Sequence, residues 1–193
     1  MKPVPRLGTL FVVAVAVVTL AVSAQPAPSE SARFNAWLNA RYAEDLERSP
    51  MAKTFRGVID DDYDEWDDLS PAFQEESYRI GQRQLREMRE RFDYRKLDEQ
   101  ARLSWKLFEY DKMRDEAGFP FREHVYTFNQ MRGVQSQIPA FLINQHRMAE
   151  RSHAEAYIDR LQGVDEYLGQ ALENARRRFV QDIYPPRFVY DHV

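Results

Sequence analysis

Apolar side chains recur every three to four positions along most of this chain, and charged residues fill the positions between them. That period belongs to amphipathic helices rather than to strands. Phe34, Trp37, Leu38, Tyr42 and Leu46 mark a first helix, for which Ser31 can serve as the N-cap. Ser49-Pro50 closes it and opens a short helical piece to Phe55, with Gly57 as the stop. Ser70-Pro71 is a cap followed by proline in the first turn, and Phe73, Ile80, Leu85, Met88 and Phe92 give the helix that follows an apolar face. A third long helix opens at Asp98, with a stripe of Leu103, Leu107, Tyr110 and Met113, and ends at Gly118 before Pro120. Ser152 and Glu155 have the spacing of a capping box. They open a last helical region lined by Tyr157, Ile158, Leu161, Val164, Leu168, Leu172, Ala175 and Phe179, which Gly163 can divide in two.

Three stretches break the pattern. Residues 1–24 have the form of a secretory signal: Lys2 and Arg6 precede an apolar run from Leu10 to Val22, and small residues lead to a cut at Ala24. An uncleaved anchor is the alternative, since Leu7 to Ala24 reaches the length of a short membrane span. The Pro-rich stretch after Ala24 favours cleavage, with residues 25–32 as a linker and no stable span in the mature chain. The second break is an acidic loop, Asp60 to Asp68. The third, Tyr126 to His146, is poor in charge and rich in amides, with Gly133 and Pro139 marking local irregularity. Just before it, Val125 to Phe128 offers the one segment that reads as a short strand. The predicted fold class is therefore mainly α, an irregular helical array with at most one short strand or hairpin.

Composition narrows the function classes. The chain holds 27 basic and 31 acidic residues; removal of Lys2 and Arg6 with the leader leaves 25 basic against 31 acidic, a balance of −6. That argues against general nucleic-acid binding, which needs a net basic face. There is no Cys, so disulfides, a lipidated cysteine and a thiol nucleophile are all excluded. Asp60, Asp62 and Asp64 alternate as calcium ligands would, yet no Gly occupies the sixth position and Pro71 stands at the twelfth. Glu150 and His153 match one half of a di-iron helix pair, but no second E-x-x-H exists. No H-E-x-x-H, G-x-S-x-G or phosphate loop occurs. No catalytic residue and no metal ligand is assigned. Arg176-Arg177-Arg178 reads as a solvated helix end.

Several segments in order carry a resemblance: LERSPMAKTFRG, DDDYDEWDDLSP, NQMRGVQSQIPAFLINQH, AEAYIDRL and PPRFV. Together they resemble the bacterial family catalogued as domain of unknown function 885. The resemblance implies a mostly helical, often exported protein similar to zinc metallopeptidases, in which two His and the Glu between them serve zinc and base chemistry. It implies that residues 33–193 form the helical N-terminal part of a larger peptidase-like domain, incomplete by itself, since Pro185-Pro186 followed by Phe188, Val189 and Tyr190 looks like the approach to a further element. The expected role is a cleft wall or lid of an exported, periplasmic or secreted hydrolase. Peptide would be the partner, and zinc would be held only in a full-length member. Asn129, Gln130 and Gln137 are the candidates to face such a cleft, because amides pair with a peptide backbone as donors and acceptors. The competing assignment has these amides satisfy their own irregular backbone. A stand-alone periplasmic binding or assembly module without enzymatic activity is the alternative function.

Overall fold

The computed structural model describes residues 27–192, without the His192 side chain; the apolar leader expected at 1–24 lies outside the described residues. The chain runs through α1 (Glu30–Glu47), α2 (Pro50–Phe55), α3 (Pro71–Arg91), α4 (Glu99–Gly118), α5 (Val134–Asn144), α6 (Arg151–Gln162) and α7 (Val164–Phe179). Short 3-10 turns occupy Tyr94–Lys96, Phe119–Phe121 and Arg187–His192. The fold class is all-α, with no strand among the described residues. Val125–Phe128 is irregular, and its one backbone–backbone tie among the described residues is the Val134 amide donating to the Thr127 carbonyl at 3.1 Å. No described helix is long and apolar enough to cross a membrane.

The helix starts follow their side-chain chemistry. Ser49, Ser70 and Asp98 accept from the amides of Ala52, Phe73 and Ala101 at 3.1, 3.1 and 2.8 Å, each satisfying a donor that the first turn leaves unpaired. Gly57 follows α2 at φ +74°, a left-handed conformation that suits glycine.

Two expected caps are corrected. Ser29, not Ser31, caps α1, so the helix begins inside the stretch read as linker. Ser31 lies on the inner side in phase with Phe34, is buried, and accepts instead from the Asp98 amide at 2.9 Å. The capping box at Ser152 does not form, because α6 starts one residue earlier and Glu155 pairs with Arg151 at 2.8 Å. His153 accepts from the Ala149 amide across that turn at 3.3 Å.

Two hydrophobic cores result. The first joins α1, α3 and α4 through Phe34, Trp37, Leu85, Met88, Phe92, Ala101 and Trp105. Phe34 packs against Phe92 and Trp105 with ring centroids 5.4 and 5.6 Å apart, within the range of favourable aromatic pairs. The second joins α5 and α7 through Ile138, Leu142 and Tyr167, with Met51, Trp66, Leu69, Tyr157 and Val164 packed around them.

The α4 stripe is the largest correction. Leu103, Leu107, Tyr110 and Met113 are 50, 56, 63 and 52% exposed. The inward face is the other one, Ala101, Trp105 and Phe108, at the same helical spacing but shifted in phase. Both faces carry apolar residues, so periodicity alone could not choose. Burial of the Trp105 indole, beside an Ala small enough to let α1 approach, selects the second. The last helical region divides at Gly163 as expected, but Ile158, Leu161, Leu172 and Phe179 are exposed. On α7 the buried face is Tyr167, Ala171, Asn174 and Arg178.

Trp105→Ala is expected to cost about 3–5 kcal/mol of stability, whereas Leu107→Ser changes it by no more than about 0.5 kcal/mol. Urea unfolding of both variants checks the phase of α4: comparable losses would mean that the stripe is buried after all.

Candidate functional site

The amide-rich segment spends its polar groups on its own backbone. Asn129 Oδ1 accepts from the amides of Met131 and Arg132 at 3.0 and 2.7 Å, and its Nδ2 donates to the Tyr126 carbonyl at 3.1 Å. Gln135 Nε2 donates to the Asn129 carbonyl at 2.8 Å, and Gln137 Nε2 to the Arg132 carbonyl at 2.9 Å. Gln130 is exposed. Of the three expected cleft-facing residues, Asn129 and Gln137 therefore build the turn that leads into α5. Gly133 completes it by close approach. A Cβ there would stand 2.5 Å from the Asn129 amide nitrogen and closer still to Gln135 Oε1.

The far end of the segment reaches a buried polar network. Arg160 of α6 is fully buried. Its guanidinium donates twice to the Glu65 carbonyl, at 3.1 and 2.7 Å, once to His146 Nδ1 at 3.1 Å and once to Thr54 Oγ1 at 3.3 Å. The faces of Tyr63, Trp66 and Phe141 surround it at 5.4, 5.7 and 5.0 Å. No carboxylate touches it. Burial pulls its pKa below the usual guanidinium range, and the nearby groups of the acidic loop oppose that pull.

The partners decide the His146 tautomer. The His153 carbonyl, 2.8 Å from Nε2, can only accept, and Arg160 can only donate to Nδ1. His146 is thus neutral with its proton on Nε2. Burial, and then the charge of Arg160, lower its pKa from the ordinary 6.5, against the opposing bond to His153. Tyr63 and Tyr157 pack their rings on it.

The acidic loop is held by the same neighbourhood. Tyr63 exchanges hydrogen bonds with the backbone of Arg147, and Trp66 Nε1 donates to the Arg160 carbonyl at 2.8 Å. Asp67 accepts from the Ser49 hydroxyl and the Met51 amide. Asp60 and Asp62 face not a metal but Lys53, which is 3% exposed and also pairs with Glu47, at distances of 2.7 to 3.0 Å. Hydrogen bonds from Asp62 and Glu47 raise the Lys53 pKa well above its ordinary value, against the cost of burial.

A groove of about 230 Å³ opens between the residues just before the amide-rich turn and the start of the PPRFV segment. Tyr126, Thr127 and Phe128 form one side, Leu172 and Phe179 of α7 the floor, and Tyr184 with Pro185 the other side. Beneath it Arg178 is buried, donating to Glu123 Oε2 at 3.1 Å and to Thr127 Oγ1 at 2.5 Å. Arg177 reaches the same carboxylate at 3.4 Å. The Arg run is thus only partly a solvated helix end, since Glu123 draws two of its members inward. The ionisable groups lining the groove are arginines and tyrosines. They can bind and orient a ligand.

Sequence reasoning missed Arg160 and Arg178. Each continues an apolar face at helical spacing, Arg160 between Tyr157 and Val164 and Arg178 after Tyr167 and Ala171, and such an in-phase arginine is the signal that could have found it. Among the described residues no group of three or more His, Asp or Glu is placed to hold a metal ion. The described residues therefore do not fit the zinc centre that the resemblance implies.

Because the folded-state pKa of His146 is lowered, its contribution to stability is fully present above about pH 6.5 and is lost as pH falls through the folded value. Protonation would remove the Nδ1 acceptor and place a second cation beside Arg160. Denaturation midpoints measured between about pH 5 and 7 should fall with pH in the native chain and flatten in His146→Gln; an identical profile in the variant would remove His146 as the cause. Gly133→Ala is expected to cost about 1–3 kcal/mol, read in the same unfolding assay, through the clash with Asn129.

No curated protein and no solved structure matches the chain. A family model does, that of the bacterial protein of unknown function DUF885, over residues 50–193. The match spans α2 to the last 3-10 turn, including the acidic loop, the amide-rich turn, the Arg160 network and the groove, and on its extent the chain belongs to this family.

Proposed function

We propose that this chain is the N-terminal helical part of an exported, peptidase-like zinc hydrolase, and that it supplies a non-catalytic wall of the substrate cleft. The observation that carries the reading is the groove between Tyr126–Phe128 and Tyr184–Pro185, where segments far apart in sequence converge on apolar walls. The two sides directly precede or enter stretches that bear the family resemblance, the amide-rich turn from Asn129 and the PPRFV segment from Pro185. Apolar walls with a buried arginine below suit an extended peptide bearing large apolar side chains, which would shed water from Leu172, Phe179 and Tyr184 on binding. Gln130, exposed at the rim of the amide turn, remains the amide able to meet such a peptide. Zinc and its base would come from outside the described residues.

A stand-alone binding or assembly module is the second reading. It is favoured by the two cores, which close on residues of this chain alone.

A fluorescein-labelled peptide rich in Leu and Phe should bind the purified chain, and Phe179→Glu should weaken it by at least about tenfold. The same chain given zinc should leave the peptide intact. Zinc-dependent cleavage by the chain alone would overturn the non-catalytic role, and binding indifferent to Phe179→Glu would remove the groove from the substrate path.

A further inference from the structure

A second and larger cleft, about 650 Å³, lies between the C-terminal end of α1, the first half of α3 and the C-terminal half of α4. It shares no lining residue with the groove described above. Its volume falls in the range that encloses most of a small organic ligand. Four cationic side chains line it, Arg48, Lys112, Arg114 and Arg122, against two carboxylates, Asp45 and Asp115. Glu76 answers Arg48 at 3.0 Å and Asp111 answers Arg114 at 3.6 Å from just outside the lining, which leaves Lys112 and Arg122 as the cations open to a ligand.

The cations are positioned rather than merely present. Arg122 lies 4.2 Å over the ring of Phe119, and Phe119 stacks on Tyr78 with centroids 3.9 Å apart. Arg48 lies 4.7 Å over Phe73. Arg48 spends its N–H edge on Glu76 and Ser77, whereas Arg122 spends only one N–H, on the Phe119 carbonyl at 3.0 Å, and keeps donors for an oxyanion. Lys112 continues the inward face of α4, one turn after Phe108, so its stem is half-buried against α3. It passes beside Gly81, where a Cβ would stand in contact with it, 3.4 Å from Lys112 Cδ and 3.5 Å from Nζ. Its nearest carboxylate oxygen, Asp45 Oδ2, is 4.0 Å away, at the outer limit of an ion pair. A loosely matched ammonium in a partly desolvated cleft interacts more strongly with an incoming anion than one in open water.

From this geometry we infer that the cleft between α1, α3 and α4 binds a small organic anion with an apolar body. Its charged head meets Lys112 and Arg122, and its body lies against Tyr78, Phe73 and Ile80. The aromatic floor disfavours a bare inorganic ion, and the cations disfavour a neutral hydrocarbon. The inference does not rest on the hydrolase reading, since it concerns different residues and requires no chemistry.

Isothermal titration of the purified chain with three matched probes tests it: N-acetyl-phenylalanine, phenyl phosphate and the uncharged N-acetyl-phenylalanine amide. At least one acid should bind about tenfold more tightly than the amide, and the tighter acid identifies the head group as carboxylate or phosphate. Lys112→Met and Arg122→Gln should each weaken that acid by about fivefold or more, with melting temperatures close to that of the native chain. If either variant melts early, chemical-shift changes at Gly81 and Phe119 in the native chain locate the bound probe instead. Equal binding of acids and amide, no binding of any probe at about 10 mM, or affinity retained in the folded double variant would overturn the assignment.

Discussion

The second half of this protein is organised around one cost, the burial of the Arg160 guanidinium without a carboxylate. A buried cation is tolerated only where its donors are all met and its charge is answered. Here the answer comes from four parts of the chain at once: Thr54 of α2, the Glu65 carbonyl and the rings of Tyr63 and Trp66 in the acidic loop, Phe141 of α5, and His146 after it. None of these lies within ten residues of Arg160 in the sequence. Each must therefore be in place for the others to be satisfied. This makes Arg160 a determinant of which packing is adopted, more than a source of net stability.

The acidic loop is the counterpart of that network. Its carboxylates divide their tasks: Asp60 and Asp62 neutralise buried Lys53, Asp67 ties the first turn of α2, and Asp68 orders the start of α3. Its backbone continues the work, with the Leu69 amide donating to Gln170 and the Leu69 carbonyl accepting from Asn174 on α7. The loop has little repetitive structure, yet it joins α2, α3, α6 and α7. Of the carboxylates whose spacing resembles a calcium loop, Asp60 and Asp62 converge on the ammonium of Lys53, so a cation of the chain itself occupies the place.

Both clefts inherit their character from polar residues on helix faces that otherwise pack. On α7, Arg178 occupies the position where a further apolar residue would extend the core, and Glu123 brings it inward with Arg177. On α4, Lys112 plays the corresponding part beside Gly81. In each case the apolar body of the long side chain packs while its charge faces a cavity, so the faces that build the cores also furnish the binding surfaces.

The helical class, the order of helices and the starts at Ser49, Ser70 and Asp98 were legible in the sequence, because period and capping are local properties that need no tertiary partner. So was the competing assignment for the amides of Asn129 and Gln137. Neither the buried face of α4 nor the start of α6 could be read locally. Two apolar faces compete on α4, and the choice falls to how Trp105 packs against α1; at α6, the Arg151–Glu155 pair displaces the capping box. Least legible were the arginines: by composition Arg160 and Arg178 belong to water, and only partners gathered from distant segments make their burial possible. The sequence by itself determined where helices form and what family the chain resembles. Tertiary structure alone decided which charges go inside, because desolvation is offset only by groups that folding brings together.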